Sequence, residues 1–173
     1  MQFQTERGKT VGIIGTGAIG TATARLLLAF GCKVVAWSRT RRPEVEALGV
    51  TYMELDKLLQ ESDIVSLHVP LNDETRNLIG EHELSLMKPT ALLVNTARGP
   101  VCDIAAVGKA LIDGRIAGAA FDVFEKEPPL PLDHLLLSTN RCLVTPHVAF
   151  ATEESFAARA DIVFDHVDDY LKA

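Results

Sequence analysis

Gly15-Thr16-Gly17-Ala18-Ile19-Gly20 follows directly on the apolar run Val11-Gly12-Ile13-Ile14 and opens into a helix-forming stretch. A lone G-x-G-x-x-G is weak evidence, because glycines are common in turns. Between a buried strand and a helix it reads as a dinucleotide-binding turn. Gly15 permits the tight turn, Gly17 lets the main chain approach a pyrophosphate, and Gly20 lets helix and strand pack closely. The helix N-terminus, at Ala18 and Ile19, then offers free N–H groups and partial positive charge to phosphates.

Working outward, further apolar runs resemble that first strand: residues 33–37, 63–67, 91–95, 116–121 and 142–144. Most are continuously apolar and do not alternate, as parallel strands covered on both faces do. Helix signals lie between them. Ile19, Ala22, Leu26 and Phe30 share one face, with Gly31 as a C-terminal cap glycine. Residues 43–48 repeat the pattern before Gly49, and residues 55–61 and 103–112 are further helices, the latter capped by Asp103. Strand and helix alternate so regularly that the fold class is α/β, a Rossmann-type doubly wound parallel sheet with helices on both faces. Three prolines in residues 128–132 predict an extended loop. From Thr152 an amphipathic helix carries Phe156, Ala160, Val163, Phe164 and Val167 on its apolar side.

Composition fits one folded domain. The chain has 173 residues, 47% hydrophobic and 23% charged, enough to bury a core without disulfides or metal. A net charge of -6 argues against nucleic acid and anionic membrane as partners. Cys32, Cys102 and Cys142 are far apart and in no metal-ligand spacing, and read as reduced core thiols. No signal peptide is legible in residues 1–10, and no run approaches the ~20 apolar residues of a membrane span. A cytoplasmic protein is expected.

The end of the second strand bears on the choice of dinucleotide. An acidic residue about 20 positions after the turn would bind a ribose 2′-OH and favour NAD. There is no Asp or Glu between Thr21 and Pro43; the sequence reads Trp37-Ser38-Arg39-Thr40-Arg41-Arg42. Ser38, Arg39 and Thr40 are placed to donate to a 2′-phosphate, so the reading leans to NADP. A solvated basic loop on an NAD enzyme has the same appearance.

Three later segments each follow a strand, at the carboxyl edge where α/β sheets bind ligands. They are Asn95-Thr96-Ala97-Arg98-Gly99-Pro100, Asp122-Val123-Phe124-Glu125-Lys126-Glu127-Pro128 and Thr145-Pro146-His147. An Arg, a carboxylate and a His at corresponding strand ends suit a 2-oxo or 2-hydroxy acid. With the glycine turn and His68-Val69-Pro70-Leu71, they closely resemble the NAD(P)-binding domain of the D-isomer-specific 2-hydroxyacid dehydrogenases, in order and spacing through nearly the whole chain.

That resemblance implies roles. Arg98 binds the substrate carboxylate and carbonyl, and His147 exchanges a proton with the carbonyl oxygen. Glu127, which directly precedes the proline, pairs with His147 and favours imidazolium. Asp122 meets the nicotinamide carboxamide; His68, Pro70 and Thr75 line the adenosine side, and Thr96, Ala97, Arg98 and His147 complete the cofactor surroundings. His82, His134 and His166 read as ordinary residues. Two departures stand out: Ala149 and Phe150 follow where the family often has glycine, and Cys102 replaces an aliphatic residue.

The family's substrate domain comes mainly from residues ahead of the cofactor domain, whereas here the turn begins close to Met1. The expected division is a Rossmann domain over residues 1–150, then a helix over 151–173. In the family that helix packs on the substrate domain, which is expected to be missing from this chain. Its apolar side is then exposed or buried in a homodimer. Two functions stay open: an oxidoreductase that reduces a 2-oxo acid to a D-2-hydroxy acid with NAD(P)H, or a non-catalytic dinucleotide-binding module. The substrate would be a small acid; its side chain is not legible.

Overall fold

The computed structural model describes residues 7–126 and 130–172. Among the described residues, seven strands form one sheet: β1 Thr10–Ile14, β2 Lys33–Trp37, β3 Thr51–Tyr52, β4 Ile64–Leu67, β5 Leu92–Asn95, β6 Gly118–Phe121 and β7 Cys142–Val144. Every pairing is parallel, in the order β3-β2-β1-β4-β5-β6-β7. The sheet is therefore doubly wound: the order in which strands are added reverses between β1 and β4, the crevice where such sheets bind ligands. The described residues also form six α-helices: α1 Ala18–Ala29, α2 Pro43–Glu46, α3 Leu55–Glu61, α4 Glu81–Leu86, α5 Ile104–Ile112 and α6 Glu153–Lys172.

The continuously apolar strands are explained by a core on each face. Val11, Ile13, Val34 and Ala36 point to one side, with Ala24 and Tyr52. Ile14, Val35, Val65, Leu67 and Leu93 point to the other, with Leu58, Leu59 and Leu111. Successive strand residues alternate between two buried faces, so neither face needs polar residues. Gly31, Gly49 and Gly114 end their helical segments with positive φ, as expected of cap glycines. Asp103 accepts from the Ala105 and Ala106 N–H groups and starts α5 as its N-cap.

One expected face is reversed. Ile19, Leu26 and Phe30 of α1 are 72%, 63% and 68% exposed, and the residues that α1 buries fully are Gly20 and Ala24. Small residues one turn apart let the helix lie close on β1. The larger Leu27 and Leu28 then fill the flanks of that contact. Two elements were not expected: β3 and α4.

α6 buries none of its residues; Phe156, Val163, Phe164 and Val167 are all half or more exposed. Among the described residues, no helix is long and apolar enough to cross a membrane.

Candidate functional site

The glycine turn sits at the carboxyl end of β1. Gly15 has φ +100, a left-handed conformation that favours glycine, and an added Cβ would stand 2.7 Å from the His68 carbonyl oxygen. Gly20 lies beneath the turn; a Cβ there would fall 2.0 Å from the Gly15 carbonyl oxygen. Gly17 is different. Its φ of -68° is open to any residue, and a Cβ would meet nothing within 4 Å. It caps α1 without a side-chain hydrogen bond, and among the described residues no side chain accepts from the first-turn N–H groups. An open cradle above unpaired donors suits a pyrophosphate.

Two cavities flank the turn and share Gly17, His68, Val69 and Pro70 as a common wall. The one toward β2, about 400 Å³, is lined by Gly15, Trp37, Ser38, Arg39, Glu74 and Thr75, among others. The one toward β5, about 520 Å³, adds Ala18, Ile19, Thr96, Ala97 and Arg98. Together they form a furrow across the switch point. Most of the residues expected to bind cofactor line it; Gly20, Thr40, Asp122 and His147 do not.

Hydrogen bonds hold the furrow's walls. The Tyr52 hydroxyl donates to Thr16 Oγ1 (2.7 Å), tying β3 to the glycine turn. Thr75 Oγ1 donates to the Pro70 carbonyl (2.6 Å), and Asn72 Oδ1 accepts from the Glu74 and Thr75 N–H groups. His68 Nε2 lies 2.9 Å from Ser66 Oγ, and burial holds its imidazole pKa below the ordinary 6.5. The three arginines of the basic loop separate. Arg39 pairs with Glu74, Arg41 lies over the Tyr52 ring, and Arg42 pairs with Glu44.

Strand register brings the catalytic candidates abreast. Asn95 pairs with Phe121 and Phe121 with Val144, so Arg98, Asp122 and His147 follow three adjacent strand ends. Asn95, fully buried, shapes the first loop. Its Nδ2 donates to the Arg98 carbonyl (3.0 Å), and its Oδ1 accepts from the Ala97 N–H (3.0 Å). The exposed Arg98 guanidinium donates to the Ala97 carbonyl. Gly99 packs so closely that a Cβ would stand 1.9 Å from the Phe124 carbonyl carbon, fixing this loop against the next.

Asp122 organises the third loop. Its carboxylate accepts from Thr145 Oγ1 (2.5 Å), Val148 N (2.9 Å) and Ala149 N (2.8 Å), the last at the position where the family often has glycine. His147 between them holds φ +56, a left-handed conformation that costs of order 1–3 kcal/mol in a non-glycine residue. Phe150 meets the His147 ring edge-on at 5.5 Å and in turn contacts Phe156 and Arg159. Burial raises the Asp122 pKa, but the hydrogen bonds from Thr145, Val148 and Ala149 and the nearby His147 outweigh it and hold it below 3.8. Because the folded value is the lower one, the unfolded chain binds the extra proton, and this stabilisation is present above pH ~4 and lost as pH falls through the folded pKa. Asp122→Asn is therefore expected to flatten the acid limb of melting temperature against pH. An unchanged limb would show that Asp122 contributes nothing to it.

Glu127 lies outside the described residues. Glu125 meets buried His134 Nε2 at 3.2 Å. His134 Nδ1 accepts from the Leu136 N–H, pinning the connection between β6 and β7. Buried Cys102 has its thiol pKa raised by burial, and burial pushes Cys142 to about 11, so both are poor nucleophiles.

Comparison with known proteins places this geometry. The family model for the D-isomer specific 2-hydroxyacid dehydrogenase, NAD binding domain, matches residues 1–149. A glyoxylate reductase of Aeropyrum pernix is 53% identical over 150 residues, 86% of this chain and 44% of that protein. A glyoxylate reductase of Thermococcus litoralis is 46% identical over 167 residues, 96% of this chain and 50% of that protein. A D-isomer specific 2-hydroxyacid dehydrogenase from Lactobacillus delbrueckii ssp. bulgaricus, solved in its NAD complexed form, matches with TM-score 0.88 and 40% identity, over 95% of this chain and 54% of that one. A D-lactate dehydrogenase from Sporolactobacillus sp gives TM-score 0.92 and 38% identity, over 99% of this chain and 55% of that one. The chain spans about half the length of the curated relatives it matches. It belongs to the D-isomer-specific 2-hydroxyacid dehydrogenase family, of which it carries the NAD-binding domain.

Proposed function

We propose that this chain supplies the cofactor half of an oxidoreductase that reduces a small 2-oxo acid to a D-2-hydroxy acid with NAD(P)H. The observation that carries this reading is the register that sets Arg98, Asp122 and His147 on three adjacent strand ends, with Arg98 lining the furrow. A dinucleotide-binding module alone has no need of that set. The bound dinucleotide supplies the hydride. Arg98 engages the substrate carboxylate through its planar fork of donors. His147 gives a proton to the carbonyl oxygen in reduction and takes it back in oxidation. Glu127 is assigned as the partner of His147, and Asp122 as the group that holds the His147 loop. The similarity to glyoxylate reductases favours glyoxylate and other small 2-oxo acids as substrates.

Arg39, with Ser38 beside it, is the furrow's reader of a 2′-phosphate, so the preferred cofactor in this reading is NADP. Thr40, outside the furrow, plays no part in that reading. The division at residue 150 gives α6 its own role: its exposed apolar side receives the remainder of the longer enzyme. The exposed Leu26 and Phe30 at the far end of α1 are the face for a second copy, giving a homodimer.

Oxidation of NADPH and NADH by the full-length protein, followed at 340 nm against a panel of 2-oxo acids, tests the reading. Turnover with glyoxylate is expected. Tight dinucleotide binding without turnover of any 2-oxo acid would leave the chain a binding module. Sedimentation tests the dimer, which Leu26→Asp is expected to split.

A further inference from the structure

The end of β2 carries no carboxylate, yet the furrow has one. Glu74, from the loop after β4, lines the same cavity as Ser38 and Arg39, and its Oε2 meets Arg39 Nη1 at 2.6 Å. The two residues come from loops 35 positions apart in sequence and both line the cavity. Glu74 is not on a loose segment. Its N–H donates to Asn72 Oδ1, and the next residue, Thr75, is buried with its hydroxyl donated to Pro70. The carboxylate is thus presented from a fixed backbone, while its exposed position keeps it outside the core.

We propose that Glu74 sets the selectivity between phosphorylated and unphosphorylated dinucleotides by occupying Arg39. This rests on the reading of Arg39 as the 2′-phosphate ligand. A 2′-phosphate entering the cavity must share or displace a carboxylate already paired with that guanidinium, and it meets like charge while doing so. An unphosphorylated ribose meets no such repulsion, and Glu74 can accept a hydrogen bond from its 2′-OH. The carboxylate usual at the end of β2 is replaced by one reaching across from β4. Ser38 and Arg39 alone favour NADP; with Glu74 in place the preference is moderated and both dinucleotides bind.

Titration of the chain with NADPH and with NADH, using the wild type, Glu74→Gln, Arg39→Ala and the double variant, tests this. Exposed ion pairs are weak, so Glu74→Gln is expected to tighten NADPH by about three- to fivefold and to leave NADH unchanged or slightly weaker. The gain shrinks at high salt and disappears in the double variant. Melting temperature does not move, since both side chains are exposed. Arg39→Ala that weakens NADPH selectively, with Glu74→Gln leaving the NADPH to NADH ratio unchanged, would overturn the role of Glu74 alone. Arg39→Ala that alters neither affinity would overturn the 2′-phosphate reading and the proposal with it.

Discussion

Gly17→Asp is expected to leave the melting temperature of the chain unchanged or slightly raised and to weaken dinucleotide binding by about 100-fold or more. Asp is a better N-cap than Gly by only a few tenths of a kcal/mol, and Gly17 already has ordinary extended geometry with open space around it. The new carboxylate would accept from the first-turn N–H groups that a pyrophosphate needs, and would repel that pyrophosphate. Gly20→Ala is the contrasting variant. Its Cβ has only 2.0 Å to the Gly15 carbonyl oxygen, a backbone atom no rotamer change can move aside. The gain of about 1 kcal/mol in helix propensity is set against about 1–3 kcal/mol of overpacking, so stability falls and the turn shifts. Differential scanning fluorimetry and binding titration on both variants separate the two roles. Gly17→Asp that binds like wild type would sink the pyrophosphate cradle.

His147→Asn in the full-length protein is expected to lower turnover with glyoxylate by about 10²–10⁴-fold, the usual worth of a positioned acid–base group. Asn is the informative choice because His147 sits at φ +56, where Asn is tolerated better than Ala. The three hydrogen bonds to Asp122 then stay in place, and the loss reads chemistry rather than backbone strain. Dinucleotide affinity should change little. Normal turnover in this variant would remove His147 from the mechanism; unfolding would show instead that the histidine is structural.

The sequence carried most of the sheet because its strands are apolar on both faces, and the Lys33–Trp37 and Cys142–Val144 strands end where their apolar runs end. β3 escaped because two residues hold no period, yet it brings Tyr52 to the glycine turn. α4, Glu81–Leu86, is short and polar, started by Glu83 accepting from the Gly80 N–H. Side-chain size predicts burial for Ile19, Leu26 and Phe30, whereas close approach of α1 to β1 selects the small residues Gly20 and Ala24. Among site residues, motif position pointed to Arg98, Asp122 and His147. The supports, Asn95 and Glu74, were not legible, since their roles depend on contacts the chain makes only when folded.

The central claim is that the furrow across the β1–β4 switch point holds a nicotinamide dinucleotide. Trp37, the chain's single tryptophan, lines that furrow and makes the claim directly measurable. Titrating the chain with NADPH while exciting Trp37 should give saturable quenching of indole emission and sensitised emission from the dihydronicotinamide, both abolished by Gly17→Asp. Trp37 emission indifferent to NADPH and NADH up to millimolar concentration would contradict the account.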